Sequence, residues 1–357
     1  MDEFERIRRW TSGRQSPQWL SARGVRLGIG DDAAVVEPPQ GADGEPVQWL
    51  LAVDTMVETV HFNWRTMSEA DVGYKALAAN ISDIAAMGGQ PAHALVSISA
   101  PAACTAERMT SLYDGLYACA ARYGVAIVGG DTTSAPEHLV ISVTVTGTVP
   151  AGRAVPRSGA KPGDAVFVTG PLGLSAAGLH YLLAAPARPG AAAIEADEAG
   201  SLVQAHRRPV PSPEGGRLLA ERGTCHALND VSDGAASEAW ELAEASGVSI
   251  VLEEARLPLS GSMARYARRQ GRDPLDWVLY GGEDYVLMGT IAADDAEQAG
   301  AALRARGIPF YRIGVVESGP SGVWLDRGGG RAPLAKGGYN HFASATGESD
   351  DDSNDEI

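Results

Sequence analysis

Carboxylates recur along this chain beside glycine or at the end of an apolar run: Gly28-Ile-Gly-Asp-Asp32, Ala52-Val-Asp54, Ser82-Asp83, Gly129-Gly-Asp131, Asn229-Asp230-Val-Ser-Asp233 and Gly281-Gly-Glu-Asp284. Asp131, in Val-Gly-Gly-Asp-Thr-Thr, reads as the residue of a turn. Acids gathered at element ends offer hard oxygen ligands. Such ligands suit Mg²⁺, which keeps some of its waters and is shared with substrate phosphates. The pattern predicts metal-assisted phosphate chemistry.

Other chemistries are absent from the sequence. There is no G-x-x-x-x-G-K-[ST] loop, no H-R-D kinase loop, no G-x-S-x-G elbow and no cysteine set in a catalytic Cys–His signature. Gly28 to Ala33 matches G-x-G-x-x-A, but two carboxylates occupy positions where a pyrophosphate needs bare amides, and Ala33-Ala-Val-Val36 continues as strand rather than helix. That turn is either an Asp-capped hairpin or a metal loop. Asp83 stands near the C-terminal end of an apolar helix, where the helix dipole disfavours negative charge and a cation offsets the penalty. Asp233 reads as an N-cap whose second oxygen is free to face a metal. His61 and Tyr339, each taken alone, read more often as packing residues. Arg157 is either a surface base or a phosphate clamp.

These residues need elements to carry them. Residues 25–37 and 47–54 read as strands around turns. Ser68 with Asp71 opens a helix over 69–87 that ends at Gly88-Gly89, with Val72, Leu77, Ile81 and Ile84 as its apolar stripe and Asn80 and Asp83 on a neighbouring face. A second helix spans 105–123 and stops at Gly124, and Val125 to Val128 is a short strand delivering Asp131. Residues 139–148 alternate strictly, with Leu139, Ile141, Val143 and Val145 on one face and Thr and Ser on the other. Pro150 to Pro162, with Arg153, Arg157 and Lys161, reads as a domain connection. Beyond it come a strand over 164–169, a helix opened by Gly170-Pro-Leu-Gly173, a surface insertion over 186–200, a strand–turn–helix over 225–246 and a strand over 284–290.

The chain has 357 residues, 45% of them hydrophobic, which suffices for two domains. Net charge is −16; the segment from Glu348 to Ile357 holds six acids and no base, and without it the charge is −10. That balance argues against nucleic acid and anionic membranes as partners. The acidic end, 346–357, reads as a disordered tail. Cys104, Cys119 and Cys225 show no C-x-x-C spacing, so zinc and a disulfide framework are not expected. No run reaches transmembrane length and no signal-peptide core is visible, so the cytoplasm is the expected location.

As an ordered set, these residues resemble the thiamine-monophosphate kinases of the PurM-like superfamily. The stretches that carry the resemblance are Gly28–Ala33, Asp54–Phe62, Tyr74–Gly88, Gly129–Thr133, Arg157–Asp164, Asp230–Gly234, Gly281–Tyr285 and Gly338–Phe342. The resemblance implies α/β (α+β) mixed sheets in a two-domain PurM-like architecture: an N-terminal domain over 1–152 that dimerises and binds ATP and metal, and a larger C-terminal domain over 153–345. It implies transfer of the γ-phosphoryl of ATP to thiamine monophosphate with several Mg²⁺ ions. Asp32, Asp54, Asp83, Asp131, Asp230 and Asp233 would hold the metals. Gly130, Asp131, Arg157 and Ser232 would contact ATP, and His61, Glu283 and Tyr339 the acceptor. The family often has Ser-Thr before the acid of its second motif. This chain has Ala52-Val53 there, which removes a hydroxyl ligand and leaves the Val53 carbonyl.

The expected mechanism follows from charge. Two unit charges 4 Å apart at an effective dielectric near 20 repel by roughly 4 kcal/mol, so an acidic site admits two phosphorylated substrates only with cations between. In-line attack by a phosphate oxygen needs positioning and neutralisation but no phosphoenzyme. The rival readings are a sibling ATPase of the same superfamily, a Mg²⁺-dependent phosphohydrolase and a non-catalytic nucleotide-binding regulator.

Overall fold

The computed structural model describes residues 10–27, 35–37, 44, 46–184 and 196–338. The Gly28–Ala33 turn with Asp32, residues 185–195, Tyr339 and the acidic tail lie outside the described residues.

A short helix, α1 (Pro17–Ser21), leads into the small antiparallel pair β1 (Val25–Leu27) and β2 (Val35–Val36). A four-stranded sheet follows from β3 (Val47–Val57), β4 (Gln90–Ala100), β5 (Ala126–Ser134) and β6 (Val140–Pro150), in the order β3-β6-β4-β5. Only β4 and β5 run parallel. Helices α2 (Glu69–Ala86) and α3 (Ala106–Tyr123) pack on one face, where Ile141, Val143 and Val145 of β6 meet Leu77, Ile81 and Leu112. The alternation expected along β6 is present, with its Ser and Thr side chains half-buried on the opposite face.

The second sheet has the order β13-β12-β9-β11-β7-β10-β8. Its strands are β7 (Ala165–Val168), β8 (Cys225–Asp230), β9 (Ser249–Glu253), β10 (Leu287–Ile291), β11 (Tyr311–Glu317), β12 (Gly322–Asp326) and β13 (Arg331–Pro333). Its helices are α4 (Leu174–Ala184), α5 (Ala196–Arg207), α6 (Pro213–Arg222), α7 (Ala235–Ser246), α8 (Gly261–Gln270), α9 (Pro274–Tyr280) and α10 (Ala296–Arg304). Central β7 is apolar throughout: Val166 and Val168 enter one core with α7, α8 and α9, and Ala165 and Phe167 enter another with α6 and α10. A strand buried on both faces has no reason to alternate.

Helix α2 joins the two halves. Its capping box is complete, with Ser68 and Asp71 serving each other's backbone. The sequence suggested one apolar stripe, but 15 of its 18 residues are buried. Its middle enters the first core, while Ala85 and Ala86 enter the core beneath the second sheet. A helix buried all round needs small contacts on its neighbours. Gly115 of α3 meets that need: a Cβ there would stand 1.8 Å from the Ala70 carbonyl oxygen.

Four expectations are corrected. Asp131 is not in a turn, because β5 runs through it to Ser134 with a bulge opposite Ala94 and Leu95. Strand β10 starts at Leu287, not 284; Glu283 and Tyr285 have φ of +68° and +53°, which no strand allows. Residues 196–200 open helix α5 rather than finishing an insertion. Asp233 is not an N-cap, since Gly234 holds that position in α7 without a side-chain bond.

Gly115→Val is expected to destabilise the fold by about 3 kcal/mol, because the added atoms meet backbone rather than a movable side chain. A urea titration showing a lowered midpoint at unchanged slope checks this, and an unchanged midpoint contradicts the close approach.

Candidate active site

Three acids from three elements converge beside the C-terminal end of α2. Asp83 lies in its last turn, which contains no basic residue. Desolvation raises its pKa to about 8, and the charges of Asp230 and Asp54 push the same way, with Arg157 opposing. Asp230 ends β8 and is 3% exposed. Burial raises it to about 6, partly offset by a hydrogen bond from Ser82. Asp54, on β3, is open to solvent on one side, yet burial of the remainder raises its pKa while His61 draws it down.

The surrounding framework is hydrogen-bonded throughout. Asn80 accepts from the Asp54 backbone N–H at 2.9 Å and donates to the Ala76 carbonyl at 2.9 Å, which fixes β3 against α2 at the acid. His61 closes a turn after β3 by accepting the Val57 N–H on Nδ1 at 3.0 Å. Arg157 Nε donates to Asn229 Oδ1 at 3.0 Å and pairs through Nη1 with Glu241 at 3.0 Å. Asn229 in turn donates to Glu238 and Glu241. Buried Glu238 accepts from the backbone of Ser232 and Asp233 at 3.3 and 3.0 Å, and so shapes the turn that carries both. Burial holds its pKa well above the carboxylate range.

The Gly281–Tyr285 loop lies against the same turn, where Glu283 and Tyr285 donate backbone N–H groups to Ser232 and Val231 at 2.6 and 2.8 Å. A left-handed φ at a residue with a side chain costs on the order of 1–3 kcal/mol and persists where the surroundings impose it. Asp284 is buried at the start of α4 and accepts from Gly173 and Ser175 N–H groups, so it serves as a helix clamp. Desolvation raises its pKa to about 7, against those backbone bonds. Glu283 keeps 28% of its side chain exposed beside fully buried Lys75, with Nζ 2.6 Å from Oε1.

Not every expected residue joins this group. Asp54 shares a cross-strand row with Val143 and Val96, which are buried beneath the helices. Asp131 shares the row of Thr55, Ser142 and Ser97 on the opposite, open face. Gly130 beside it has φ +154°, and a Cβ there would stand 1.9 Å from the Val96 carbonyl oxygen. Val53 also faces outward, 62% exposed. Asp233 and Ser232 stay together in the turn before α7, and Asp32 and Tyr339 lie outside the described residues. Among the described residues, no three acids, histidines or cysteines form a ready-made metal cage. The donor set is nevertheless oxygen only, crowded with like charge and offset by a single arginine, which suits a hard cation that keeps its own waters.

Sequence reasoning missed Lys75, His206, Asn229, Glu238 and Glu241. Lys75 carried a signal, since a lysine inside Tyr74-Lys-Ala-Leu-Ala-Ala interrupts an apolar helix. Asn229, Glu238 and Glu241 meet across the β8–α7 turn and acquire meaning from Arg157, while His206 does so from Glu283 and Ser175, all distant in the chain.

The two halves match the family models described as AIR synthase related protein, N-terminal domain, over residues 30–149, and AIR synthase related protein, C-terminal domain, over residues 161–326. The thiamine-monophosphate kinase of Bacillus subtilis (strain 168) is 42% identical over 343 residues, covering 96% of this chain and all of that protein. The crystal structure of thiamine-monophosphate kinase from Stenotrophomonas maltophilia K279a superposes with a TM-score of 0.75 at 34% identity, covering 87% of this chain and 97% of that one. A ThiL protein solved in complex with AMPPCP and TMP superposes with a TM-score of 0.73 at 32% identity, covering 90% and 94%. Fold and site thus define a two-part PurM-like protein of the AIR synthase-related class. Within that class, the chain belongs to the thiamine-monophosphate kinase family.

The raised acids predict an inverse pH dependence for the metal-free protein. A carboxyl whose folded pKa exceeds its unfolded value near 3.8 penalises folding increasingly as pH rises between the two. The melting temperature of the protein in chelator is expected to fall from about pH 4, where the unfolded carboxyls ionise, to about pH 8, the contribution of Asp230 levelling off near 6 and that of Asp83 near 8. Asp83→Asn is expected to flatten that slope and to add about 2 kcal/mol at the alkaline end. An unchanged slope in the variant contradicts the clustering.

Proposed function

We propose that this chain transfers the γ-phosphoryl group of ATP to thiamine monophosphate, giving thiamine diphosphate. What carries the proposal is full-length similarity to the Bacillus subtilis enzyme together with the acids at the end of α2. The ThiL complex with AMPPCP, an ATP analogue, and TMP supports the choice of both substrates.

In this reading Asp32, Asp54, Asp83, Asp131, Asp230, Asp233 and the Val53 carbonyl hold Mg²⁺. When bound, Mg²⁺ neutralises phosphate charge and aligns the reacting oxygens for in-line transfer. Arg157, held by Asn229 and Glu241, presents a guanidinium to the nucleotide phosphates. Ser232 and Gly130 contribute hydroxyl and backbone contacts to the same ligand. His61, Glu283 and Tyr339 orient the acceptor. The nucleophile, an oxygen of the acceptor's phosphate, is already ionised near neutral pH, so no strong general base is required. A phosphoenzyme has no obvious carrier among the cysteines: burial pushes the thiols of Cys104, Cys119 and Cys225 upward, away from thiolate.

The open face of the first sheet supports a homodimer. Trp49, Leu51, Val53 and Leu95 are 42, 74, 62 and 43% exposed there, with the threonines of β6 between the first three and Leu95, a grouping of large apolar side chains on one open sheet face that suits a protein partner. Covering it with a second copy would bring Asp131 to the seam between protomers. The proposed division into units 1–152 and 153–345 puts the boundary within the connection between β6 and β7. Among the described residues no helix is long and apolar enough to cross a membrane, and the need for ATP favours the cytoplasm.

One assay tests the activity: ATP and Mg²⁺ with and without thiamine monophosphate. Thiamine diphosphate is expected only when all three are present, with intersecting initial-rate lines. Phosphate release without acceptor identifies a hydrolase, ATP binding without turnover identifies a regulator, and ping-pong kinetics excludes direct transfer. Asp131→Asn is expected to lower kcat by about 10² or more in a folded protein. Leu51→Asp is expected to yield monomers in sedimentation; an unchanged oligomeric state counts against the open face as the seam.

A further inference from the structure

Lys75 is a costly residue in its position. It is 0% exposed, in the middle of a helix buried on almost every side. Taking an ammonium out of water is unfavourable, and an apolar residue there would usually serve stability as well or better. Its partner Glu283 also occupies an unfavourable position, at φ +68° after two glycines. If the loop needed only to turn, glycine at 283 would do so without strain.

The contacts explain both choices. Lys75 Nζ is 2.6 Å from Oε1 of Glu283. Nδ1 of His206, from the end of α5, is 3.5 Å from Oε2 and 3.2 Å from the Ser175 hydroxyl. Burial and the charges of Lys75 and Arg207 keep that imidazole neutral, with its pKa lowered to about 2. Lys75 of α2 therefore grips the carboxylate from inside, the neutral His206 ring at the end of α5 stands beside its second oxygen, and part of the Glu283 side chain stays exposed.

We propose that Lys75 and His206 are positioning residues for Glu283, holding its carboxylate toward the cationic thiamine moiety of the acceptor. The inference rests on the reading of Glu283 as an acceptor contact. It also ties acceptor binding to α2, because the helix that carries Lys75 carries Asp83 two turns further on. The metal-binding acid and the acceptor-orienting acid then take their places from one rigid element.

Initial-rate kinetics of the full chain, varying thiamine monophosphate and ATP separately, test this with Lys75→Met, Glu283→Gln and the double variant. Lys75→Met is expected to raise KM for thiamine monophosphate about tenfold, with KM for ATP and kcat within about threefold. The double variant is expected to match Glu283→Gln alone, because the lysine acts only through the glutamate. General loosening of the fold would move both KM values, and effects that multiply in the double variant overturn the proposal. A folded Lys75→Met with an unchanged acceptor KM overturns it too. If Glu283→Gln itself leaves that KM unchanged, the assignment of Glu283 fails, and with it the role of Lys75. If Lys75→Met does not fold, the double variant, which leaves no unpaired charge, carries the comparison with Glu283→Gln. His206→Asn is expected to raise the acceptor KM in the same direction; a wild-type value removes His206 from the proposal.

Discussion

The structure depends on the burial of one helix between two sheets. Helix α2 gives its middle to the core of the first sheet and its last turn to a core of the second. A helix enclosed on so many sides cannot rotate or slide without opening a cavity or a clash, because protein interiors are packed to crystal-like density. Its few polar side chains are consequently fixed in direction. Lys75, Asn80, Ser82 and Asp83 each reach a partner from another element: Glu283, Asp54, Asp230 and the acid cluster.

This rigidity stores electrostatic tension. Asp54, Asp83 and Asp230 crowd where burial alone disfavours charge, and Arg157, which opposes the rise at Asp83 and Asp230, is shared with Asn229 and Glu241. Left to itself the cluster relaxes by taking up protons, as the raised pKa of Asp83 shows. A cation supplies the other route to neutrality. In the function proposed here, the residues that weaken the protein alone would be those that attract the cation, in keeping with strain concentrated at functional sites and compensated by the rest of the fold.

The second half contributes turns rather than a helix. Buried Glu238 gathers the backbone donors of Ser232 and Asp233, and Asp284 gathers those at the start of α4. Both carboxylates serve the backbone, and they stand beside the acids to which the proposed function gives ligand roles. Chain neighbours can thus have opposite surroundings: Asp284 faces inward to a helix end while Glu283 stays partly exposed. Composition alone cannot separate them.

Much was legible in the sequence. The Ser68–Asp71 box, the stop at Gly124 and the alternation along β6 are local signals, set by backbone hydrogen bonding and side-chain period, and they appear where the sequence put them. The spacing of acids beside glycine also pointed to phosphate chemistry. Which acids meet was not legible, because proximity across tens to hundreds of residues follows from sheet order and helix packing. Register alone puts Asp54 and Asp131 on opposite faces of one sheet. The Gly-Gly before Asp131 resembled a turn because glycine permits both a turn and a close strand crossing, and only the neighbouring β4 decides between them. The sequence by itself determined the elements bounded by local signals, the acidic character and the family. Tertiary structure decided which charges face one another, because electrostatic energy depends on distance through space and not along the chain.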